Sequence, residues 1–244
     1  MSNPPGQSYQ QYPMGGGGTG IGNIRDWTVN AWIMAIVIVT LFADALLKGR
    51  LINLTYFSLA SAAFGLQVWR FVTFQFVEPG IISALFDLFT LFFFGRMMEG
   101  HFGPRKYLVF VLLCGGGAIG IYVALWAVGL MHIMGAATPL AGLGPTVMGV
   151  VVGAATLQPN GPVQMVFPPV QVKLLHIAWI FIGISLYMAI TTGPDTAAGF
   201  TELAGGLVGW LLVKNDRWQG MFERRAKGGA SGKRGTYRDW TKDF

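Results

Sequence analysis

Residues 107–130 read YLVFVLLCGGGAIGIYVALWAVGL, 24 positions without a charge, preceded by Arg105-Lys106. About 20 apolar residues in helical form cross the ~30 Å hydrocarbon layer of a bilayer. Single strands cannot cross alone, because lipid leaves their backbone groups unpaired. The stretch is therefore read as a membrane-spanning helix. Working outward, five further apolar runs appear: Trp27–Leu47 and Ile81–Phe94 before it, and Gly144–Leu157, Val172–Ile190 and Ala197–Val213 after it. The second and fourth of the six are short, which predicts that adjoining loops enter the membrane within protein.

Composition excludes the main alternative. Between Asp26 and Val213 the chain holds seven acids and seven bases in 188 residues. Mean hydropathy over all 244 residues is +0.52. A water-facing surface needs far more charge than that, since soluble domains average ~25% charged residues. The expected organisation is a disordered Gly/Pro/Gln-rich tail over residues 1–26, a membrane domain over 27–213 and a basic tail over 214–244. Residues 1–26 hold no apolar run, so a cleavable leader is not expected. The fold class expected is an all-α, multi-pass membrane protein of six transmembrane helices.

Orientation follows the distribution of bases in short loops. With six spans, one side receives Arg25, Arg96, Arg105, Lys106, Lys173 and the nine bases of the tail; the other receives Lys48, Arg50 and Arg70. Both termini are accordingly expected in the cytoplasm. For a bacterial chain the membrane would be the inner one. The long outer connection from Lys48 to Gly80 is rich in Leu, Phe and Trp, and is expected to lie in the membrane interface. The tail is interleaved with aromatic residues, and its bases are expected to rest on lipid headgroups. Membrane lipids are thus expected partners, and nucleic acid is not.

Small residues spaced i and i+4 allow helices to approach closely in lipid. Gly116/Gly120, Gly149/Gly153 and Gly205/Gly209 carry this spacing and predict that the third, fourth and sixth spans form a tight bundle. Acids inside spans are costly unless paired or functional. Asp44, Asp87 and Glu202 fall within about 5–9 Å of the outer ends of their spans at 1.5 Å per residue. They are expected at one depth, with Glu202 turned into the bundle beside Gly205 and Gly209. His101 and His132 read as loop residues. His176 and Ser185 lie nine positions apart on one helix and face opposite ways. No Cys/His grouping has metal-ligand spacing and no glycine run suits a phosphate, so neither a metal nor a cofactor is expected.

Several local patterns coincide. Trp69-Arg70-Phe71-Val72-Thr73 precedes a span ending in Gly95-Arg96-Met97-Met98-Glu99, and Gly103-Pro104-Arg105-Lys106-Tyr107-Leu108 follows. Their order and spacing resemble the rhomboid superfamily, with W-R/Q-x-x-T, G-R-x-x-E and G-x-x-x-Y-L in the first loop and the second and third spans. Leu143–Gly153 is similar to the start of that family's fourth span and Thr201–Gly209 to its sixth. The resemblance covers about residues 27–213. It implies a six-helix bundle with a long first loop.

Active rhomboids are intramembrane serine proteases. Their nucleophile lies in Gly-x-Ser-Gly, the base opens His-x-x-Gly-x-x-x-Gly, and a His-x-x-x-Asn pair in the second span supports the oxyanion. Here Gly142-Leu143-Gly144-Pro145 puts Gly144 at the nucleophile, Glu202 stands for the histidine, and Ser83 and Asp87 stand for the pair. Acyl transfer needs an attacking atom and a base, and glycine supplies none. Thr146 lies about 200° around the helix from Gly144 and faces away. The resemblance thus implies the fold without the activity, as in inactive rhomboids and derlins, which bind membrane-spanning clients. On that reading no residue is catalytic. Trp69, Arg70, Asp87 and Glu202 are the candidates for client contact. Two other readings stay open: an intramembrane serine-type endopeptidase with a non-standard site, and a small proton- or ion-linked transporter using Asp44, Asp87 and Glu202.

Overall fold

The computed structural model describes residues 28–61, 65–129, 138–164, 171–191 and 196–215. The expected disordered N-terminal stretch, His132 and the basic tail beyond Asn215 lie outside the described residues. The chain is mostly helical. The elements are α1 (Val29–Leu46), α2 (Arg50–Thr55), α3 (Arg70–Thr73) with a 3₁₀ turn at Phe74–Phe76, α4 (Ile81–Thr90), a π-turn at Leu91–Gly95, α5 (Arg96–Phe102), α6 (Pro104–Ala127), α7 (Gly144–Leu157), β1 (Pro162–Gln164), β2 (Gln171–Lys173), α8 (Leu174–Ile190) and α9 (Thr196–Lys214). Among the described residues four helices are long and apolar enough to cross a membrane: α1, the continuous Ile81–Phe102 helix, α6 and α9. α7 and α8 are apolar but shorter.

The second apolar run departs from expectation. It is not a short span ending at Phe94 but a helix of 22 residues reaching Phe102. The charges that looked like a loop are accommodated in place. The Arg96 guanidinium lies 4.9 Å from the centre of the Phe92 ring. Glu99 is buried and turns to the start of α1, where its carboxylate accepts from the N–H groups of Val29 (2.7 Å) and Asn30 (3.0 Å). Free N–H groups at a helix start need acceptors, and the Thr28 hydroxyl takes a third, from Ala31. Gly103, at φ +78, ends the helix in a conformation that favours glycine, and Pro104 opens α6. His101 therefore sits in the last turn of α5 rather than in a loop.

The π-turn has a packing cause. The Asn30 amide donates to the Leu91 carbonyl at 2.9 Å, and the Tyr107 hydroxyl donates to Asn30 Oδ1 at 2.8 Å. A side chain at Gly95 would run into both Asn30 and Tyr107. A side chain inserted against a helix ladder is a recognised cause of such irregularity.

α7 occupies the centre. Ten of its 14 residues are buried, as a helix apolar on all sides should be. It packs most extensively on α9, and α6 flanks both. The crossing is glycine against backbone: a side chain at Gly205 would meet Pro145 and one at Gly209 would meet Gly149. Gly149 and Gly153 are likewise closed in, by Cys114 and by Met98 and Phe110. The pair expected on α6 behaves differently. A methyl at Gly116 would approach only the Phe71 carbonyl, at 3.8 Å, and one at Gly120 would meet nothing within 4 Å. Close approach on α6 occurs at Gly115, against Gln75 and Thr146, and at Gly117, against Val208. One helical position rotates the face by about 100°, so the run Gly115-Gly116-Gly117 hid which glycine faces inward.

The long connection between α1 and α4 folds onto the bundle. Phe57 pairs with Leu140 through two backbone hydrogen bonds of 2.7 Å. Phe57, Leu59 and Phe74 form a second small core with Ile119, Tyr122 and Ala197. Between α7 and α8 the chain forms an antiparallel hairpin, with Val163 opposite Val172. The all-helical expectation missed it, and α8 consequently begins at Leu174 rather than Val172.

Candidate functional site

A cavity of about 460 Å³ lies between α4, α7, α8, α9 and the segment from Phe74 to Pro79. Gly144, Glu202, Ser83 and Asp87 all line it, together with Glu78 and Ser185. Four positions chosen from sequence are thus brought to one place.

The centre is Gly144 against Glu202. A Cβ built at Gly144 would lie 2.9 Å from Glu202 Oε1 and 3.3 Å from its Cγ. The glutamate side chain therefore occupies the space a side chain at 144 would need. The other carboxylate oxygen, Oε2, accepts from the Ser185 hydroxyl at 2.5 Å. Ser185 is buried on the face of α8 that also presents Ala178 and Ala189. Gly199 of α9 sits against its carbonyl, so the two helices approach closely there.

A second carboxylate closes the floor. Glu78 Oε1 accepts from the Leu143 N–H at 2.5 Å, at the residue that caps the start of α7. An anion there meets the positive end of the helix dipole. Gly142, at φ +109, lets the backbone pass 3.1 Å (as a built Cβ) from Glu78 Oε2. Burial pushes the Glu78 carboxyl above its ordinary value, against the opposing pull of the Leu143 N–H. Asp87, buried on α4, faces Glu78 and stands close enough to Glu202 to feel its charge. Ser83 donates to the Gly80 carbonyl at 2.9 Å, a bond within its own helix turn.

Other candidates are placed elsewhere. Thr146 points away from the cavity, donating to Gln75 Oε1 at 2.9 Å in a fully buried contact. Asp44 does not join the acids: its carboxylate accepts from the Ile52 N–H at 2.8 Å and holds the turn into α2. His176 is exposed, opposite the buried Ser185. Trp69 is 54% exposed on the long connection. Arg70 is buried within it, donating to Gln67 Oε1 (2.5 Å) and to the carbonyls of Tyr56 (2.6 Å) and Asn53 (3.2 Å). Its guanidinium holds the loop that presents Trp69.

Sequence reasoning missed Glu78 and Ser185. A small-xxx-small reading of Ser185 and Ala189 would have turned that face of α8 toward α9. Nothing in the sequence around Glu78 points to Leu143, 65 residues away.

The region from Ala31 through residue 218 matches the family model described as Eukaryotic integral membrane protein (DUF1751). The chain belongs to that family. No curated protein matches its sequence. The match runs through every element from α1 to α9 and includes all the residues of the cavity. Membership in an integral membrane family accords with the four long apolar helices. Because the family's description is eukaryotic, the conditional bacterial inner-membrane location finds no support.

Chemically, the cavity holds acceptors in excess of donors. Its lining includes no histidine, lysine or arginine. The hydroxyl nearest a carboxylate, Ser185, uses its proton to satisfy Glu202. A hydroxyl becomes nucleophilic when a base draws that proton and donors await the oxyanion. Here Pro145, at the first turn of α7, removes one backbone donor.

Proposed function

We propose that this protein is a rhomboid-like, six-span membrane pseudoprotease, with both termini in the cytoplasm, that binds membrane-spanning segments of client proteins. The observation that carries this reading is the contact of Gly144 with Glu202. Where the resemblance puts nucleophile and base, the chain has no attacking atom, and a carboxylate tied to Ser185 fills the gap. Six spans require α7 and α8 to cross as well. α7, at 14 residues, is about 21 Å long, but it is walled by protein rather than lipid. The distribution of Lys and Arg sets the orientation.

A client helix has a way in. On one side the cavity is bounded by α4 and α8, which meet through the Phe86 and Phe181 rings, stacked 5.4 Å apart. Parting that pair opens the cavity to the bilayer, where Asp87 and Glu202 offer acceptors to a polar client residue. Trp69 sits on the same side of the membrane in the proposed topology. A short central helix also favours local thinning of the bilayer, which lowers the cost of a client helix with polar residues.

The test is photo-crosslinking in native membranes from position 83, with Leu113 on α6 as the control facing away. Adducts to membrane-spanning proteins from 83 in clear excess over 113 support client binding; equal yields refute it. Reaction of the purified protein with a fluorophosphonate, lost in Ser185→Ala, would instead establish a peptidase. A second reading has its own observation: Glu78, Asp87 and Glu202 share one cavity, which suits proton-linked transport. Proton flux into vesicles that vanishes in Glu202→Gln would favour that reading.

A further inference from the structure

A second hollow, of about 620 Å³, lies between α7, α8 and α9 beyond Met148, the residue that separates it from the acidic cavity. It runs along the α7 half that ends at Leu157, the first turns of α8 and the central turns of α9. Its floor is small and apolar, with Ala155, Ala178 and Gly206; its walls include Trp179, Trp210 and Leu207. Thr156 is the sole hydroxyl among its lining residues, and it donates to the Val152 carbonyl at 2.7 Å. The hollow therefore suits an apolar occupant. At this volume it admits flexible chains rather than a helix, which is about 10–12 Å across.

Two cations stand just beyond one end of the hollow, next to the lining residues Leu175 and Trp210. Lys214 Nζ stands 4.5 Å from the centre of the Trp210 ring, and both Lys214 and Lys173 are exposed. α8 and α9 are antiparallel neighbours whose register is fixed by the Ser185–Glu202 hydrogen bond and by Gly199 against the Ser185 carbonyl. That register sets Lys173 and Lys214 at the same end. Indole rings beside lysines at the end of a span mark the headgroup level of a bilayer.

We infer that this groove binds one anionic glycerophospholipid, with an acyl chain along the floor and the phosphate between Lys173 and Lys214. The inference rests on the chain's being an integral membrane protein and is independent of client binding in the acidic cavity. The apolar lining selects a lipid, and the two lysines select an anionic headgroup.

The test is native mass spectrometry of the full-length protein, released from detergent and titrated with phosphatidylserine or phosphatidylcholine. The expected result is one retained phosphatidylserine, held in preference to phosphatidylcholine. Each lysine near a headgroup strengthens binding about fivefold, so Lys173→Gln with Lys214→Gln should weaken phosphatidylserine retention roughly thirtyfold. Both lysines are exposed, so folding should be unaffected. Leu207→Trp, at a half-exposed wall position, should block retention of either lipid by filling the groove. Retention without headgroup preference, or retention unchanged by Leu207→Trp because the lipid rides on the basic tail, overturns the inference. So does a groove covered by a second copy, seen as a lipid-free dimer.

Discussion

Replacing Gly205 with alanine should destabilise the protein, whereas the same change at Gly120 should stabilise it, although both glycines sit in the same GxxxG spacing. At Gly205 the new methyl would meet the Pro145 carbonyl oxygen and would lie 2.6 Å from its carbonyl carbon and 2.9 Å from its Cα. All three atoms are backbone, in the first turn of α7, so no flexible side chain can swing away. α7 and α9 must separate. Overpacking of this kind costs about 1–3 kcal/mol, and a backbone obstacle puts it at the upper end. Alanine recovers about 1 kcal/mol of helix propensity, leaving a net loss of about 2 kcal/mol. At Gly120 nothing lies within 4 Å of the added carbon. Only the propensity gain remains, about 0.5–1 kcal/mol.

The two variants should therefore differ by about 2.5–3 kcal/mol, with opposite signs relative to the parent. Equilibrium unfolding in mixed micelles, followed by tryptophan fluorescence and far-ultraviolet circular dichroism, measures both. Gly209→Ala should behave like Gly205→Ala, because its methyl would lie 2.7 Å from Gly149 Cα. Glu202 lies less than one turn from Gly205, so the separation should also loosen the contact with Gly144. A Gly205→Ala variant as stable as the parent would refute the packing argument, as would a Gly120→Ala variant weaker by more than 1 kcal/mol.

Glu99→Ala leaves the N–H groups of Val29 and Asn30 without their acceptor and should cost about 2–4 kcal/mol; faster amide exchange at residues 29 and 30 checks it, and Glu99→Gln should fall between. Arg70→Ala releases the carbonyls of Tyr56 and Asn53 and should make residues 48–80 cleavable by added protease in sealed vesicles, with Arg70→Lys restoring resistance only in part because an ammonium lacks the fork that reaches both. Glu78 has a carboxyl value raised by burial, so its contribution to stability is fully present below the unfolded value of about 4.3 and is lost as pH rises through the folded value. Stability of the parent should accordingly decline with rising pH relative to Glu78→Gln, which keeps the Leu143 contact and does not titrate; parallel pH profiles would exclude the effect.

Apolar runs were legible because hydrocarbon is an unforgiving solvent: any uncharged stretch of that length must be helical and buried in lipid or protein. α6, α7 and α9 accordingly begin and end within a few residues of their expected limits. Charges inside a run misled, because a sequence does not show what a charge touches. Arg96 and Glu99 look like a loop and are a helix, one folded over Phe92 and the other turned to α1. The hairpin escaped because each strand is three residues long, too short for alternation to register. Of the cavity, Gly144 and Ser83 were found through the resemblance alone, whereas Asp87 and Glu202 already stood out as acids inside apolar runs, Glu202 on the helical face of Gly205 and Gly209. Glu78 and Ser185, which hold the cavity's polar contacts, were missed.

The difference between what was legible and what was not has a physical origin. Arg70, Gly95, Glu99 and Tyr107, which carry the resemblance, serve as ties between elements. Arg70 spans three partners in the first loop. Gly95 makes room for Asn30 and Tyr107, and Glu99 caps α1. Each acts on backbone groups or on fixed neighbours, so its residue type is set by the fold itself. The cavity is different, for its lining comes from four helices and two connecting segments, and any side chain that satisfies its neighbours can stand there. Glutamate at 202 is satisfied by Ser185, and glycine at 144 leaves it space. The ties therefore hold the scaffold independently of what lines the cavity, and any activity must be argued from the cavity alone.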